Sequence, residues 1–116
     1  MVQQVAQELL SQDPRLQLVL SDGLAFLRRE PVESFDFVFA DAMPGKYYGL
    51  EECLRVVRPG GFYIIDDMLP QANWPDGHPA KVADLLHQLA NLEALAIVPL
   101  AWASGVVVCV KRSREN

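Results

Sequence analysis

The most regular feature of the sequence is a series of short, continuous apolar runs. Such runs, bounded by Gly, Pro or Asp, are typical of strands that are buried on both faces. They predict strands at 16–20, 35–40, 62–67, about 94–100 and about 105–111. The last two are joined only by the short segment AWASG, so we expect an antiparallel hairpin there.

Segments with apolar residues at helical spacing alternate with these runs. They predict helices over about residues 2–11, directly after Asp22-Gly23, over about 50–57 and over 80–91. The resulting order, αβαβαβαββ, is typical of an α/β fold. We therefore expect a three-layer sandwich with a mostly parallel sheet and a C-terminal antiparallel hairpin.

Composition limits the class of protein to which the chain can belong and the partners that it can bind. A chain of 116 residues with 51% hydrophobic and 22% charged residues is expected to form a single globular domain over 1–116. Its net charge of −5 argues against nucleic acid or an anionic membrane as the main partner. No apolar run approaches the length of a membrane span, so we expect a cytoplasmic protein. Cys53 and Cys109 have no paired spacing, and we expect buried free thiols.

Acidic residues follow three of the predicted strands. Asp22, Asp41, and the pair Asp66 and Asp67 come where apolar runs give way to loops. In open parallel sheets, ligands bind beyond the carboxyl ends of the strands. Clustered carboxylates without partners are costly, so this rim predicts a site for hydroxyl groups, amines or a metal cation.

Three stretches of the sequence resemble a known family. They are SDG at 21–23, FDFVFADAMPGKYYGLEECLRVVRPGGFYIIDDML at 35–69, and GVVVCVKR at 105–112. Together they resemble the later part of a class I S-adenosylmethionine-dependent methyltransferase, of the O-methyltransferase branch that includes catechol and caffeoyl-CoA enzymes. The resemblance implies a partial Rossmann-like methyltransferase fold, S-adenosylmethionine as cofactor, and methyl transfer to the hydroxyl of a small-molecule substrate.

The sequence departs from that family in its cofactor-binding part. Family members begin with a strand, a GxGxG turn and a second strand, and this sequence has no such Gly-rich pattern. We therefore expect the chain alone to bind S-adenosylmethionine weakly or not at all. In the family's sheet, the strand matching 16–20 is separated from the strand matching 35–40 by two strands that this sequence lacks.

The resemblance also assigns roles to single residues. It places Asp22 and Gly23 beside the adenine of the cofactor, with Asp41 also on the cofactor side; alternatively, Asp22 caps the helix that follows it. Lys46, together with Asp41, is the candidate catalytic pair, with Lys46 as the base for the substrate hydroxyl. The lysine lies two places later than in the catechol-type pattern, and a solvated lysine at a helix start is the alternative.

A divalent cation is a further expectation from the resemblance. Asp41, Asp66 and Asp67 match positions that bind Mg²⁺ in the metal-dependent branch, although that branch usually has asparagine at the position of Asp67. Aromatic and imidazole side chains of the nearby loops are expected to shape a substrate pocket. These are Tyr47, Tyr48, Trp74 and His78.

Without the family's missing strands, the predicted strand at 35–40 would lie unpaired at one edge of the sheet. The phenylalanines of 35–40 would lie at a bare sheet edge, and exposing them would forfeit about 1.5–3 kcal/mol each. We expect either that 16–20 pairs directly with 35–40, or that a second chain completes the edge in a homo-oligomer. The alternative function is a non-catalytic α/β module that acts through oligomerisation.

Overall fold

A computed structural model describes residue 5, residues 8 and 9, and residues 12–113. Most of the helix predicted over about 2–11 lies outside the described residues. In the described part no helix is long and apolar enough to cross a membrane. The elements there are α1 (Gly23–Arg29), β1 (Phe35–Ala40), α2 (Leu50–Val56), β2 (Val57–Ile65), α3 (His78–Ala90), β3 (Leu95–Leu100) and β4 (Val106–Lys111).

The four strands form one mixed sheet in the order β1-β2-β4-β3. Only β1 and β2 run parallel, whereas β4 pairs antiparallel with both β2 and β3. The α/β class and the C-terminal hairpin are confirmed. The expectation of a mostly parallel sheet is wrong, because the parallel strand predicted at 16–20 is not present.

The apolar run at 16–20 forms no strand and leaves Leu20 86% exposed. It does not pair with β1, which lies at the edge of the described sheet. The prediction that 16–20 pairs directly with 35–40 is therefore wrong. An apolar run becomes a strand only where a neighbour satisfies its backbone N–H and C=O groups, and hydrophobicity alone does not supply that neighbour.

The predicted boundaries shift around β2 and α3. β2 begins at Val57, directly after α2, so the Pro-Gly-Gly segment at 59–61 lies within the strand instead of before it. An irregularity in the pairing with β1 accommodates this segment. At Gly61 a Cβ atom would lie 2.9 Å from the carbonyl oxygen of Asp36, so only glycine allows this close approach of the strands.

The hydrophobic core lies between one face of the sheet and the helices α2 and α3. Its fully enclosed members come from the sheet and both helices: Cys53, Val56, Val57, Tyr63, Ile65, Leu89, Val107 and Cys109. Both cysteines are free and buried, as predicted. Burial raises the pKa of each thiol to about 11.

The opposite face of the sheet, called the outer face below, is entirely apolar. The register brings its side chains into rows across the four strands. They are Phe37, Phe39, Phe62, Ile64, Ala96, Val98, Leu100, Val106, Val108 and Val110. The core helices pack on the other face, so the described part of the chain has two layers, and the expectation of three layers is wrong for it.

Two cationic side chains satisfy carbonyl groups at helix ends. Arg55 donates from Nη2 to the carbonyl oxygens of Leu27 (2.8 Å) and Glu30 (2.6 Å), at the end of α1. Lys111 donates from Nζ to those of Leu54 (3.0 Å) and Val57 (2.8 Å), at the end of α2. The last carbonyls of a helix lack partners within it, so these contacts stabilise both ends.

The β3–β4 hairpin is tied to the loop that follows β2. The backbone nitrogen of Leu69 donates to the carbonyl oxygen of Ser104 at 2.9 Å, and that of Met68 donates to Gly105 at 3.1 Å. Gly105 has φ +93°, and a Cβ atom there would lie 2.5 Å from the nitrogen of Leu69. The hairpin turn therefore requires glycine at this position.

Candidate functional site

The parallel pairing of β1 and β2 brings two of the predicted acidic residues together. Ala40 is opposite Ile65 in the register, so the next residues, Asp41 and Asp66, leave adjacent strands at the same end of the sheet. This end carries the carboxyl termini of both strands, where ligands bind in open α/β sheets. The rim predicted from the sequence is thus present for β1 and β2.

Lys46 lies within this rim and is only 5% exposed. Its Nζ donates to the backbone oxygen of Asp66 at 2.7 Å and lies 4.9 Å from the ring centre of Tyr47. Burial lowers the pKa of Lys46, against the opposing charges of Asp66, Asp67 and Asp41. The alternative of a solvated lysine is therefore wrong.

The loop that carries Lys46 is held to strand β2 by a buried hydrogen bond. Tyr63, enclosed in the core, donates its hydroxyl proton to the carbonyl oxygen of Gly45 at 2.6 Å. Within the loop, the nitrogen of Gly45 donates to the carbonyl oxygen of Tyr48 at 2.7 Å. Sequence reasoning missed this role of Tyr63, although the helix-facing position of residue 63 in an alternating strand was a usable signal.

Asp66 has a buried carboxyl oxygen, Oδ1, that accepts no hydrogen bond from the described residues. Burial raises the pKa of Asp66, and so do a shared hydrogen bond and charge repulsion with Asp41, while Lys46 acts in the opposite direction. The two carboxyl groups can share a hydrogen bond only when one of them is protonated, which is why their proximity favours the neutral form.

Asp67 contacts an aromatic group. Its backbone adopts φ +61°, a left-handed conformation that aspartate tolerates better than most residues. Its Oδ1 accepts a hydrogen bond from Nε1 of Trp74 at 3.2 Å. Trp74 packs edge-on against His78 at 4.6 Å between ring centres, and Nε2 of His78 lies 3.3 Å from the hydroxyl of Tyr47.

The three carboxylates do not form a ready metal site. Among the described residues no group of three or more His, Cys, Asp or Glu side chains is arranged to hold a metal ion. Asp67 accepts a hydrogen bond from Trp74, and the backbone oxygen of Asp66 is bound to Nζ of Lys46. The residues in this arrangement do not fit Mg²⁺, and its binding stays a prediction.

Asp22 begins α1 as its N-cap. Its Oδ2 accepts a hydrogen bond from the backbone nitrogen of Ala25 at 2.9 Å, which confirms the capping role. Gly23 lies against the loop of Lys46, because a Cβ atom there would be 3.0 Å from the Cβ of Pro44. The predicted roles of Asp22, Gly23 and Asp41 in cofactor binding stay predictions.

A cavity of about 200 Å³ opens beside the aromatic group, between the Lys46 loop and α3. Tyr47, Tyr48 and Met43 line it on the loop side, whereas Trp74 and His78 do not line it, and the predicted substrate pocket stays a prediction. From α3 it receives Lys81, Asp84, Leu85 and Gln88. Sequence reasoning did not anticipate the α3 residues, because helical spacing reports which side faces the core and not which loop lies above it.

Comparison with other proteins places this geometry in a known fold. No family model matches the chain. An alignment over 68 positions, which covers 52% of the chain, is 35% identical to a polyamine aminopropyltransferase of Prochlorococcus marinus (strain MIT 9313). The same alignment covers only 24% of the relative's length.

Solved structures match over almost the whole chain. They include a protein from Corynebacterium glutamicum (TM-score 0.76, 19% identity) and a candidate caffeoyl-CoA O-methyltransferase from Staphylococcus aureus (0.73, 14%). A methyltransferase from Podospora anserina with bound S-adenosylhomocysteine matches with a TM-score of 0.72 and 16% identity. These matches cover 93–96% of the chain but only 55–57% of the other proteins. The chain spans about half the length of these structures, and its fold is part of the methyltransferase fold seen in O-methyltransferases.

Proposed function

We propose that the chain forms the acceptor side of an S-adenosylmethionine-dependent enzyme that methylates a hydroxyl group of a small molecule. The observation that carries the proposal is the buried Lys46 beside Asp41 and Asp66, at the carboxyl ends of parallel strands in a methyltransferase-like fold. The cavity lined by Tyr47, the residue after Lys46, offers space for an acceptor of modest size; Lys46, Asp41 and Asp66 do not line it.

Lys46 is suited to act as the base in this reaction. A lysine accepts a proton only when its amine is neutral, and burial shifts its pKa in that direction. The acceptor hydroxyl would lose its proton to Nζ of Lys46 as its oxygen attacks the methyl carbon. S-adenosylmethionine, when bound, would supply the methyl group, and its sulfur would keep the electron pair of the carbon–sulfur bond, which gives S-adenosylhomocysteine as the second product.

Asp41 and Asp66 would hold the acceptor in place for this attack. Asp41 and Asp66 leave adjacent strands at the same end of the sheet, where an acceptor with a second hydroxyl group would donate a hydrogen bond to one of the two carboxyl groups. Correct placement of the nucleophile accounts for much of the rate enhancement in displacement reactions. No step of this proposal depends on a metal ion.

Cofactor binding is expected to need more than this chain provides. The cofactor's carboxylate and ribose need close contact with the backbone, which the GxGxG turn supplies in the family, and the sequence contains no such turn. Asp22 and Gly23, next to the Lys46 loop, would contribute only the adenine side. We therefore expect S-adenosylmethionine to bind the isolated chain more weakly than about 1 mM, which corresponds to about −4 kcal/mol.

Two other functions have specific support. The match to a polyamine aminopropyltransferase favours amine acceptors, because carboxylates such as Asp41, Asp66 and Asp67 attract ammonium groups. A non-catalytic module acting through oligomerisation is favoured by the exposed outer face. In the first case the transferred group and acceptor differ from our proposal, and in the second there is no turnover.

The test joins this chain to the part of the Podospora anserina methyltransferase that lies outside the matched 55% of its length. A folded chimera that binds S-adenosylmethionine is assayed for transfer to catechols, other phenols and polyamines, with products identified by mass spectrometry. We expect methylation of a hydroxyl. Lys46→Met should lower kcat at least about 100-fold, since general base catalysis contributes 10²–10⁴-fold.

The control is Arg112→Met. Arg112 is an exposed basic residue just beyond the end of β4, and it lies at the opposite end of the sheet from the rim because β4 runs antiparallel to β2. It should leave kcat unchanged, and both variants should bind the cofactor as tightly as the parent chimera. A chimera that binds cofactor but methylates no hydroxyl, or one whose kcat survives Lys46→Met, would refute the proposal.

A further inference from the structure

Lys46 is held on two sides at the carboxyl end of β2. Its Nζ donates to the backbone oxygen of Asp66 at 2.7 Å and lies over the ring of Tyr47, 4.9 Å from the ring centre. The hydrogen bond fixes the distance between the amine and the strand, but the flexible side chain of lysine can still pivot about it. An aromatic face attracts an ammonium group that lies over it, so the position of the Tyr47 ring determines where Nζ lies.

A second set of contacts holds the ring of Tyr47. Its hydroxyl oxygen lies 3.3 Å from Nε2 of His78, and the two rings meet edge-on with their centres 5.4 Å apart. His78 packs in the same way against Trp74 at 4.6 Å, and Trp74 donates a hydrogen bond to Asp67. Since Asp67 follows Asp66 in the chain, the contacts return to the end of β2 from which they started.

His78 is the member of this group that a helix supports. It is the first residue of α3, and the helix is fixed in the core by Val82, Leu85 and Leu89. Tyr47 lies in a loop. Groups on regular elements are placed more precisely than groups on loops, so the helix positions the tyrosine. Leucine would fill the same space, whereas a half-buried imidazole is favoured where its nitrogen has a polar partner.

We propose that His78 is a positioning residue for Lys46 and acts through Tyr47: the imidazole holds the tyrosine ring, and the ring holds Nζ beside the end of β2. From the sequence we expected His78 to shape a substrate pocket, but it does not line the cavity beside Tyr47. The charge that develops on Nζ when the amine accepts a proton would lie against the face of the ring, which stabilises it. This catalytic consequence rests on the proposed function, whereas the positioning does not.

Nuclear magnetic resonance tests the positioning on the 116-residue chain, whose only lysines are Lys46, Lys81 and Lys111. Protons over the face of an aromatic ring resonate upfield. We therefore expect the methylene protons next to Nζ of Lys46 to resonate upfield of those of Lys111, whose Nζ is bound by backbone oxygens. Lys46→Met assigns the signal. His78→Leu should release the tyrosine ring and move the Lys46 signal most of the way back towards that of Lys111.

His87→Leu is the matched control, because His87 is an exposed imidazole of the same helix whose Nε2 lies 3.1 Å from the side chain of Asn91. It should leave the Lys46 signal in place. His78→Gln, whose amide can replace Nε2 as the partner of the hydroxyl, should keep most of the upfield shift. In every variant an unchanged Lys111 signal reports that the core is intact.

Tyr47→Phe tests the contact without any change in the helix. It removes only the hydroxyl that faces His78, and it should move the Lys46 signal in the same direction as His78→Leu. A Lys46 signal that stays in place in both variants would overturn the inference. So would a signal that responds as strongly to His87→Leu as to His78→Leu.

In the chimeric enzyme the same variants test the catalytic consequence. Since a displacement of about 1 Å can lower a rate about 100-fold, we expect partial release of Nζ in His78→Leu to lower kcat about 10-fold with little change in KM. His78→Gln should recover most of kcat. An unchanged kcat beside a shifted Lys46 signal would refute the catalytic consequence. A chimera that transfers no methyl group would refute the proposed function, and the spectra of the chain would then decide the positioning by themselves.

Discussion

Removing the hydroxyl group of Tyr63 should destabilise the protein and loosen the loop of Lys46. In Tyr63→Phe the carbonyl oxygen of Gly45 loses a donor at 2.6 Å in an enclosed site. A neutral hydrogen bond contributes about 0.5–1.5 kcal/mol net, and an orphaned buried acceptor costs about 1–3 kcal/mol. We expect the free energy of unfolding to fall by about 1–3 kcal/mol, which for a domain of this size lowers Tm by about 4–12 °C.

Urea titrations at fixed protein concentration measure this change, with Tyr48→Phe as the matched control. Tyr48 is 49% exposed, so losing its hydroxyl should change the free energy by less than about 0.5 kcal/mol. Hydrogen exchange measures the loop independently. The amide of Gly45, which donates a hydrogen bond to the carbonyl oxygen of Tyr48, should exchange faster in Tyr63→Phe. The slope of the urea dependence should stay the same, since the exposed area does not change.

The reasoning would be refuted if Tyr63→Phe and Tyr48→Phe had the same stability. It would also fail if Tyr63→Phe were destabilised while exchange at Gly45 stayed unchanged, because the loop would then not depend on this hydrogen bond.

Three further predictions follow from the described contacts. In urea titrations, Gly105→Ala should lower the free energy of unfolding by at least about 1 kcal/mol more than Gly77→Ala. Both residues have positive φ, but only at position 105 would the new Cβ atom lie against backbone atoms. The pKa of Asp66 in the folded state is raised above its value in the unfolded chain. The protonated carboxyl therefore stabilises the fold fully at a pH below the unfolded-state pKa, and this stabilisation is lost as the pH rises through the folded-state pKa. Asp66→Asn should therefore reduce the loss of stability between acidic and neutral pH. Burial should protect Cys53 and Cys109 from thiol reagents at pH 8 until urea is added.

Each of these has a clear contrary result. Equal costs for the two glycine variants would mean that the hairpin turn relaxes around a Cβ atom. An unchanged pH profile in Asp66→Asn would mean that the carboxyl is solvated. Rapid labelling of either thiol in the native protein would mean that the core opens far more easily than its packing indicates.

The sequence predicted the elements that need only local information or one strong pattern. β1 was predicted at its observed bounds, and the closing hairpin was recognised from two apolar runs with a short connection. The pairing of Asp41 with Asp66 also followed, because parallel neighbours bring their carboxyl ends together. These features depend on periodicity and direction, which the sequence carries.

Features that depend on a neighbour were not predicted. The run at 16–20 has the composition of a strand, but pairing requires an adjacent strand that the described chain does not offer. The burial of Lys46 was missed for a related reason, since the residues that enclose it come from loops distant in sequence, including the stretch after β2. The outer face was assigned to a third layer because apolar strands are usually covered on both sides.

Arg55, which binds the carbonyl groups at the end of α1, influences how easily α1 detaches from the rest of the fold. α1 has seven residues, none of them fully buried, and Arg55 fastens its last carbonyls to α2. A segment with so little enclosed surface detaches at low free energy, independently of the sheet. Asp22, at the start of this segment, would therefore belong to an easily released part of the described fold, and a ligand bound there would stabilise the attachment of α1.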